Sequence, residues 1–79
     1  MDNYSNWDTW ETVNWCLNTE AVKMALLNVK NIKEATEIII KHMTMVKYCY
    51  ASDVELNKIN IDEVMATIRD SKLWTPLQL

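Results

Sequence analysis

"NIKEATEIIIKHMTMVKYCYA", residues 31–51, is the stretch that decides the fold. Asn31 followed three positions later by Glu34 has the shape of a capping box, with asparagine in the cap role. Beyond it Ala35, Ile38, Ile39, His42, Met43, Val46, Cys49 and Tyr50 recur at i, i+3, i+4 and i+7 spacing. Lys33, Glu37, Lys41, Thr44 and Lys47 fall on the other side. This period predicts an amphipathic helix over about residues 32–50, the longest element of the chain.

Toward the C-terminus "NIDEVMATIRDSKLW" (60–74) repeats the pattern. Asn60 and Glu63 read as a cap and its partner, Asp62 suits the positive end of a helix, and Ile61, Val64, Met65 and Ile68 form the apolar stripe. Pro76 bars helix past Thr75. Between the two helices, "SDVELNKI" (52–59) is a linker or a short helix capped by Ser52 or Asp53.

Toward the N-terminus, "NWDTWETVNW" (6–15) holds three of the chain's four tryptophans. Asp8 as cap with Glu11 three residues on predicts a helix through Leu17. On it Trp10, Val13, Asn14 and Leu17 share a core-facing side, and Trp15 points elsewhere. Trp7 precedes the cap, where a staple would set it on Thr12. A second short helix, about Glu20–Leu27, is apolar nearly all round through Ala21, Val22, Met24, Ala25, Leu26 and Leu27. Such a helix is wholly buried or touches a partner. Asn28 is placed to end it in the left-handed conformation.

The elements add up to an all-α fold, a small single-domain bundle of four or five short helices spanning residues 1–79, with residues 1–6 and 76–79 expected to fray. A chain of 79 residues has room for one core. Its hydrophobic fraction of 49% is ample for that core and too high for a disordered chain. The absence of any glycine excludes phosphate loops, dinucleotide fingerprints and nucleophile elbows. No apolar run approaches a membrane span and the start is no signal peptide, so a cytoplasmic protein is expected, with no membrane partner.

The formal net charge is −3. It resides in residues 1–29, where Asp2, Asp8, Glu11 and Glu20 face only Lys23; the remainder is balanced. With a single arginine and no basic run, direct nucleic-acid binding is not expected. Nucleic-acid mimicry would call for far more acid than this.

No catalytic constellation emerges. Cys16 and Cys49, in apolar settings, read as buried thiols. His42, the lone histidine, reads as a partly buried structural residue with one nitrogen satisfied. A Cys2His metal site from Cys16, His42 and Cys49 lacks any Cys-x2-Cys or His-x3-His spacing. A His42–Cys49 nucleophilic pair is ~10 Å apart by helical rise. The expectation is therefore a protein that is not an enzyme, with no cofactor and no metal.

"NWDTWETVNWCLN", Asn6 to Asn18, resembles the opening of small Trp-rich proteins of unknown function from phages, plasmids and haloarchaea. Those begin with an N-W-x-T-W-E-T element and soon reach W-x-x-N. The likeness is carried by Asn6, Trp7, Thr9, Trp10, Glu11, Thr12, Trp15, Leu17 and Asn18, and "KINIDEVMATI" (58–68) looks like the terminal helix of that family. This chain departs from it after Asn18, with Thr-Glu-Ala-Val in place of an acidic pair, and has no glycine-bearing loop. The resemblance implies a mobile-element context and brings no activity or binding residue with it.

The functional expectation is a phage or mobile-element protein that works by protein–protein interaction in an infected or plasmid-bearing prokaryotic host. It would be a stoichiometric inhibitor of a host defence nuclease or effector such as a Cas protein, of anti-CRISPR or anti-restriction type. Trp7, Asp8, Glu11, Trp15 and Glu20 are the expected partner-binding residues, since aromatics beside acids suit a basic groove. The alternative is a homo-oligomeric structural or accessory viral protein, a homodimer joined through the helix at 20–27.

Overall fold

The long helix expected from residues 31–51 is α3, Ile32–Cys49, in a computed structural model that describes residues 4–71. Asn31 Oδ1 accepts the Glu34 N–H at 2.9 Å, as a cap does. The Glu34 carboxylate reaches back past its expected partner and accepts the Lys30 N–H at 3.0 Å. Before α3 run α1, Trp7–Leu17, and α2, Glu20–Leu27; after it comes α4, Ile61–Ser71. The connection from α3 to α4 carries one 3-10 turn, Leu56–Lys58. The architecture is a small all-α bundle in which each of the four α-helices touches the other three.

Apolar stripes from all four helices converge on one core. Fully buried are Val13 and Cys16 of α1, Leu26 of α2, Ala35, Ile39, Met43 and Val46 of α3, and Val64, Met65 and Ile68 of α4. Val54 and Ile59 of the connection join them. Burying a leucine, isoleucine, valine or methionine contributes roughly 1.5–3 kcal/mol, so these side chains supply most of what holds a domain this small together.

Several sequence expectations are corrected. The cap of α1 is Asn6, whose Oδ1 accepts the Thr9 N–H at 2.8 Å; Asp8, two residues on, lies inside the first turn. Trp7 is therefore the first residue of the helix and forms no staple with Thr12. The side of α1 that meets the core is Thr9, Thr12, Val13 and Cys16. Trp10, expected there, is half-buried on one flank and stands outside the core cluster. Trp15 lies on the opposite flank, half-buried and packed against the core.

Asn28 ends α2 with φ −103°, so it is not left-handed. The left-handed residue is Ala51, φ 55°, directly after α3. A helix commonly ends through glycine in this position; a chain without glycine uses alanine. On α3, Cys49 and Tyr50 leave the core stripe and are exposed. On α2 only Lys23 and Leu26 are buried, while Val22, Met24, Ala25 and Leu27 are half-buried and Ala21 is exposed. The α4 cap is Asn60 as expected, accepting the Glu63 N–H at 3.2 Å.

Residues 4–6, expected to fray, are tied down. The Tyr4 hydroxyl shares a hydrogen bond with Thr67 Oγ1 at 3.3 Å, and the Glu63 carboxylate accepts from the Ser5 N–H (2.9 Å) and hydroxyl. These bonds lower the Glu63 pKa from its ordinary value. The stop at Pro76 and the fraying of 76–79 lie outside the described residues. No helix among the described residues is long and apolar enough to cross a membrane.

Candidate protein-binding surface

The first two turns of α1 divide their work between polar and aromatic residues. The polar ones fasten the connection between α3 and α4 onto α1. Asn6 Nδ2 donates to the Lys58 carbonyl at 2.9 Å, and Asp8 Oδ1 accepts the Glu55 N–H at 2.8 Å. Thr9 Oγ1 accepts the Asn60 N–H at 2.9 Å, and Glu11 Oε2 accepts the Ser52 hydroxyl at 3.3 Å. Backbone groups of an irregular segment need such partners wherever water is excluded. Here Asn6, Asp8 and Thr9 partner three backbone groups, and Glu11 holds the Ser52 side chain. Lys47 Nζ adds a bond to the Val54 carbonyl at 2.7 Å, closing the connection over buried Val54.

The aromatic residues take the other face. With Asn6 as cap, Trp7, Glu11 and Trp15 fall at i, i+4 and i+8, one stripe along the outer side of α1. Trp7 is 37% exposed. The Trp15 indole N–H donates to Glu11 Oε2 at 3.0 Å, so the same oxygen that holds Ser52 also fixes the ring. Across from it Tyr50, 62% exposed, packs on Trp15 with ring centroids 5.0 Å apart and planes tilted by 36°. That spacing is within the attractive range for aromatic pairs, worth roughly 0.5–1.5 kcal/mol beyond burial. The turn at Ala51 directs the chain after Tyr50 so that Ser52 meets Glu11. The result is a ridge, Trp7–Glu11–Trp15–Tyr50, with its central indole orientation set.

Of the five residues expected to bind a partner, Trp7, Glu11 and Trp15 come together on this ridge. Asp8 does not: it is 7% exposed and committed to Glu55, so it belongs to the framework. Glu20 is exposed in the first turn of α2. Tyr50 and Ser52 were missed. The period of α3 runs through Tyr50 without a break, so the sequence signals nothing of its turn outward. Tyr48, 82% exposed, is the most open large hydrophobic side chain among the described residues.

The residues weighed for chemistry are dispersed. Cys16 is buried and its thiol is pushed up to about 12; Cys49, expected to be buried, is exposed. His42 is buried on α3, its Nε2 without a hydrogen-bond partner. Burial lowers its pKa, and a hydrogen bond to the Trp15 backbone carbonyl opposes that shift. That carbonyl, near the C-terminal end of α1, also accepts the Thr19 hydroxyl at 2.8 Å. Among the described residues no three His, Cys, Asp or Glu side chains converge on a point that could hold a metal ion. Comparison of the chain with protein-family models, with curated proteins and with solved structures finds no match.

Proposed function

We propose that this protein is a non-enzymatic binding module that acts by covering a functional surface of another protein. The observation that carries the reading is the ridge. Two tryptophans and a tyrosine lie together on one outer face, and internal hydrogen bonds already hold the central indole in place. Tryptophan and tyrosine are the side chains that dominate interface energetics, and a ring ordered before binding loses little entropy on docking. Glu11 and Glu20 give this end of the molecule a negative character suited to a basic groove, where opposite charge speeds encounter. The resemblance of residues 6–18 to small phage and plasmid proteins supports a specific form: a stoichiometric inhibitor of a host defence nuclease or effector, of anti-CRISPR or anti-restriction type, in the cytoplasm of a prokaryotic host.

The test is affinity capture from a prokaryotic host lysate with the wild-type protein and with a Trp7→Ala/Tyr50→Ala variant, followed by assay of the captured protein's activity. Both substituted side chains are exposed, so the variant keeps its fold by circular dichroism. The wild type retains one partner in fixed ratio and suppresses its activity; the variant loses both effects. Equal capture by the two proteins would refute the ridge. Retention of a catalytically unaffected partner would refute inhibition.

A further inference from the structure

A second surface, separate from the ridge and independent of its reading, lies between α2 and α3. Val22 of α2 and Ile38, Lys41, His42 and Met45 of α3 line an open groove of about 300 Å3. The α3 residues share one helical face, centred about 100° round the axis from the core stripe of Ala35, Ile39, Met43 and Val46. Three of the five lining side chains, Val22, Ile38 and Met45, are aliphatic or thioether, and Met45 is 43% exposed. Its volume is at the lower end of ligand pockets, ~300–1,000 Å3, enough for one inserted side chain.

One fixed charge stands on this apolar face, the exposed Lys41. Glu37, one turn before it, is not within ion-pair distance; among the described residues the ion pair formed is Lys58–Glu55. The Lys41 ammonium is thus free to meet a carboxylate from outside. Burial lowers the pKa of His42, which disfavours a competing charge on this face. A second copy of this chain is a poor occupant, because pairing α3 on α3 about the middle of this face brings two Lys41 ammonium groups together, and like charges across an interface are costly.

We propose that the groove docks an amphipathic segment of a partner protein, which inserts one apolar or aromatic side chain against Val22, Ile38 and Met45 and sets a carboxylate on Lys41. The chemistry is tested with three probes that share a ring and differ in charge: indole-3-acetate, indole-3-acetamide and tryptamine. Each is titrated into the folded protein while the methyl signals of Val22, Ile38 and Met45 are followed by NMR. Indole-3-acetate shifts all three sets saturably, binds roughly two- to fivefold tighter than the amide, and tryptamine binds weakest. Lys41→Gln, at an exposed site, removes this order without altering the melting temperature. Shifts confined to the ridge, or no saturable shift, overturn the groove. An equal response to the three probes overturns the carboxylate. Methyl shifts that grow with protein concentration alone assign the groove to a second copy and overturn the proposed partner.

Discussion

Replacing Asp8 by alanine tests how the opening motif divides its work between framework and surface. Asp8 Oδ1 is the acceptor for the Glu55 N–H at 2.8 Å, and the residue is 7% exposed. Removing it leaves a sheltered backbone donor without its partner, a loss of about 1–3 kcal/mol. The carboxylate also lies in the first turn of α1, where a negative charge contributes roughly 0.3–1 kcal/mol more. A total near 2 kcal/mol lowers the melting temperature of a domain this size by about 8–16 °C, at ~4–8 °C per kcal/mol. Asp8→Asn keeps an acceptor oxygen and loses only the charge, so its melting temperature falls by a few degrees at most. Thermal unfolding followed by circular dichroism at 222 nm reads both. An alanine variant that melts within about 2 °C of the wild type would refute the clasp. If that variant also lost its partner, Asp8 would return to the binding surface.

Four further outcomes follow from the same structure. Ala51→Gly relieves a left-handed alanine, φ 55°, and raises stability by about 0.5–1 kcal/mol, read as a higher urea midpoint with an unchanged slope. With Ellman's reagent at pH 8 one thiol, Cys49, reacts at once, and Cys16 reacts only on unfolding; Cys49→Ser removes the fast phase, and two fast thiols would contradict the burial of Cys16. The folded-state pKa of His42 lies below the ordinary 6.5, so its contribution to stability is complete above 6.5 and is lost as pH falls from there through the folded value. His42→Gln flattens this acid slope in unfolding experiments between pH 7.5 and 5.5, and an unchanged slope contradicts the assignment. At lower pH Glu63, held below its ordinary value of 4.5 by Ser5, adds stability that is lost as pH falls through its folded pKa, and Ser5→Ala weakens that second step.

The parts of the fold legible in the sequence are those set by local rules. Asn31 and Asn60 announce α3 and α4 because a cap and its N3 backbone lie within one turn, and both bonds are present. The bounds of α2 and the buried stripe of α4 follow from period and composition in the same way. The start of α1 was ambiguous, since Asn6 and Asp8 are both good caps two residues apart. The choice was made by residues 55–60, which draw Asp8 and Thr9 inward, and no local rule reaches that far along the chain. The core side of α1 was hidden for a related reason. It contains Thr9 and Thr12, whose hydroxyls are satisfied by the Asn60 N–H and the Asp8 carbonyl, so polar residues occupy positions that hydropathy assigns to the surface. Lys23, buried on α2, gave no signal of any kind.

The candidate site was half legible. Trp7 and Trp15 stood out as tryptophans without a place in the core stripe, but their alignment depended on the two-residue shift of the cap. The period places Cys49 and Tyr50 in the core, whereas its buried part ends at Val46, and Tyr50 stacks on Trp15 instead. Glu11, whose position in the sequence suits a capping partner and a partner-facing acid, holds the Trp15 ring and Ser52 together.

The ridge is tested most directly by hydroxyl-radical footprinting of the protein, free and bound to its captured partner, with oxidation measured residue by residue. Trp7 and Tyr50 should be oxidised readily in the free protein and be protected several-fold in the complex, with Met45 in the α2–α3 groove unchanged. Protection of Met45 with Trp7 and Tyr50 still open would place the partner on the other face and contradict the account.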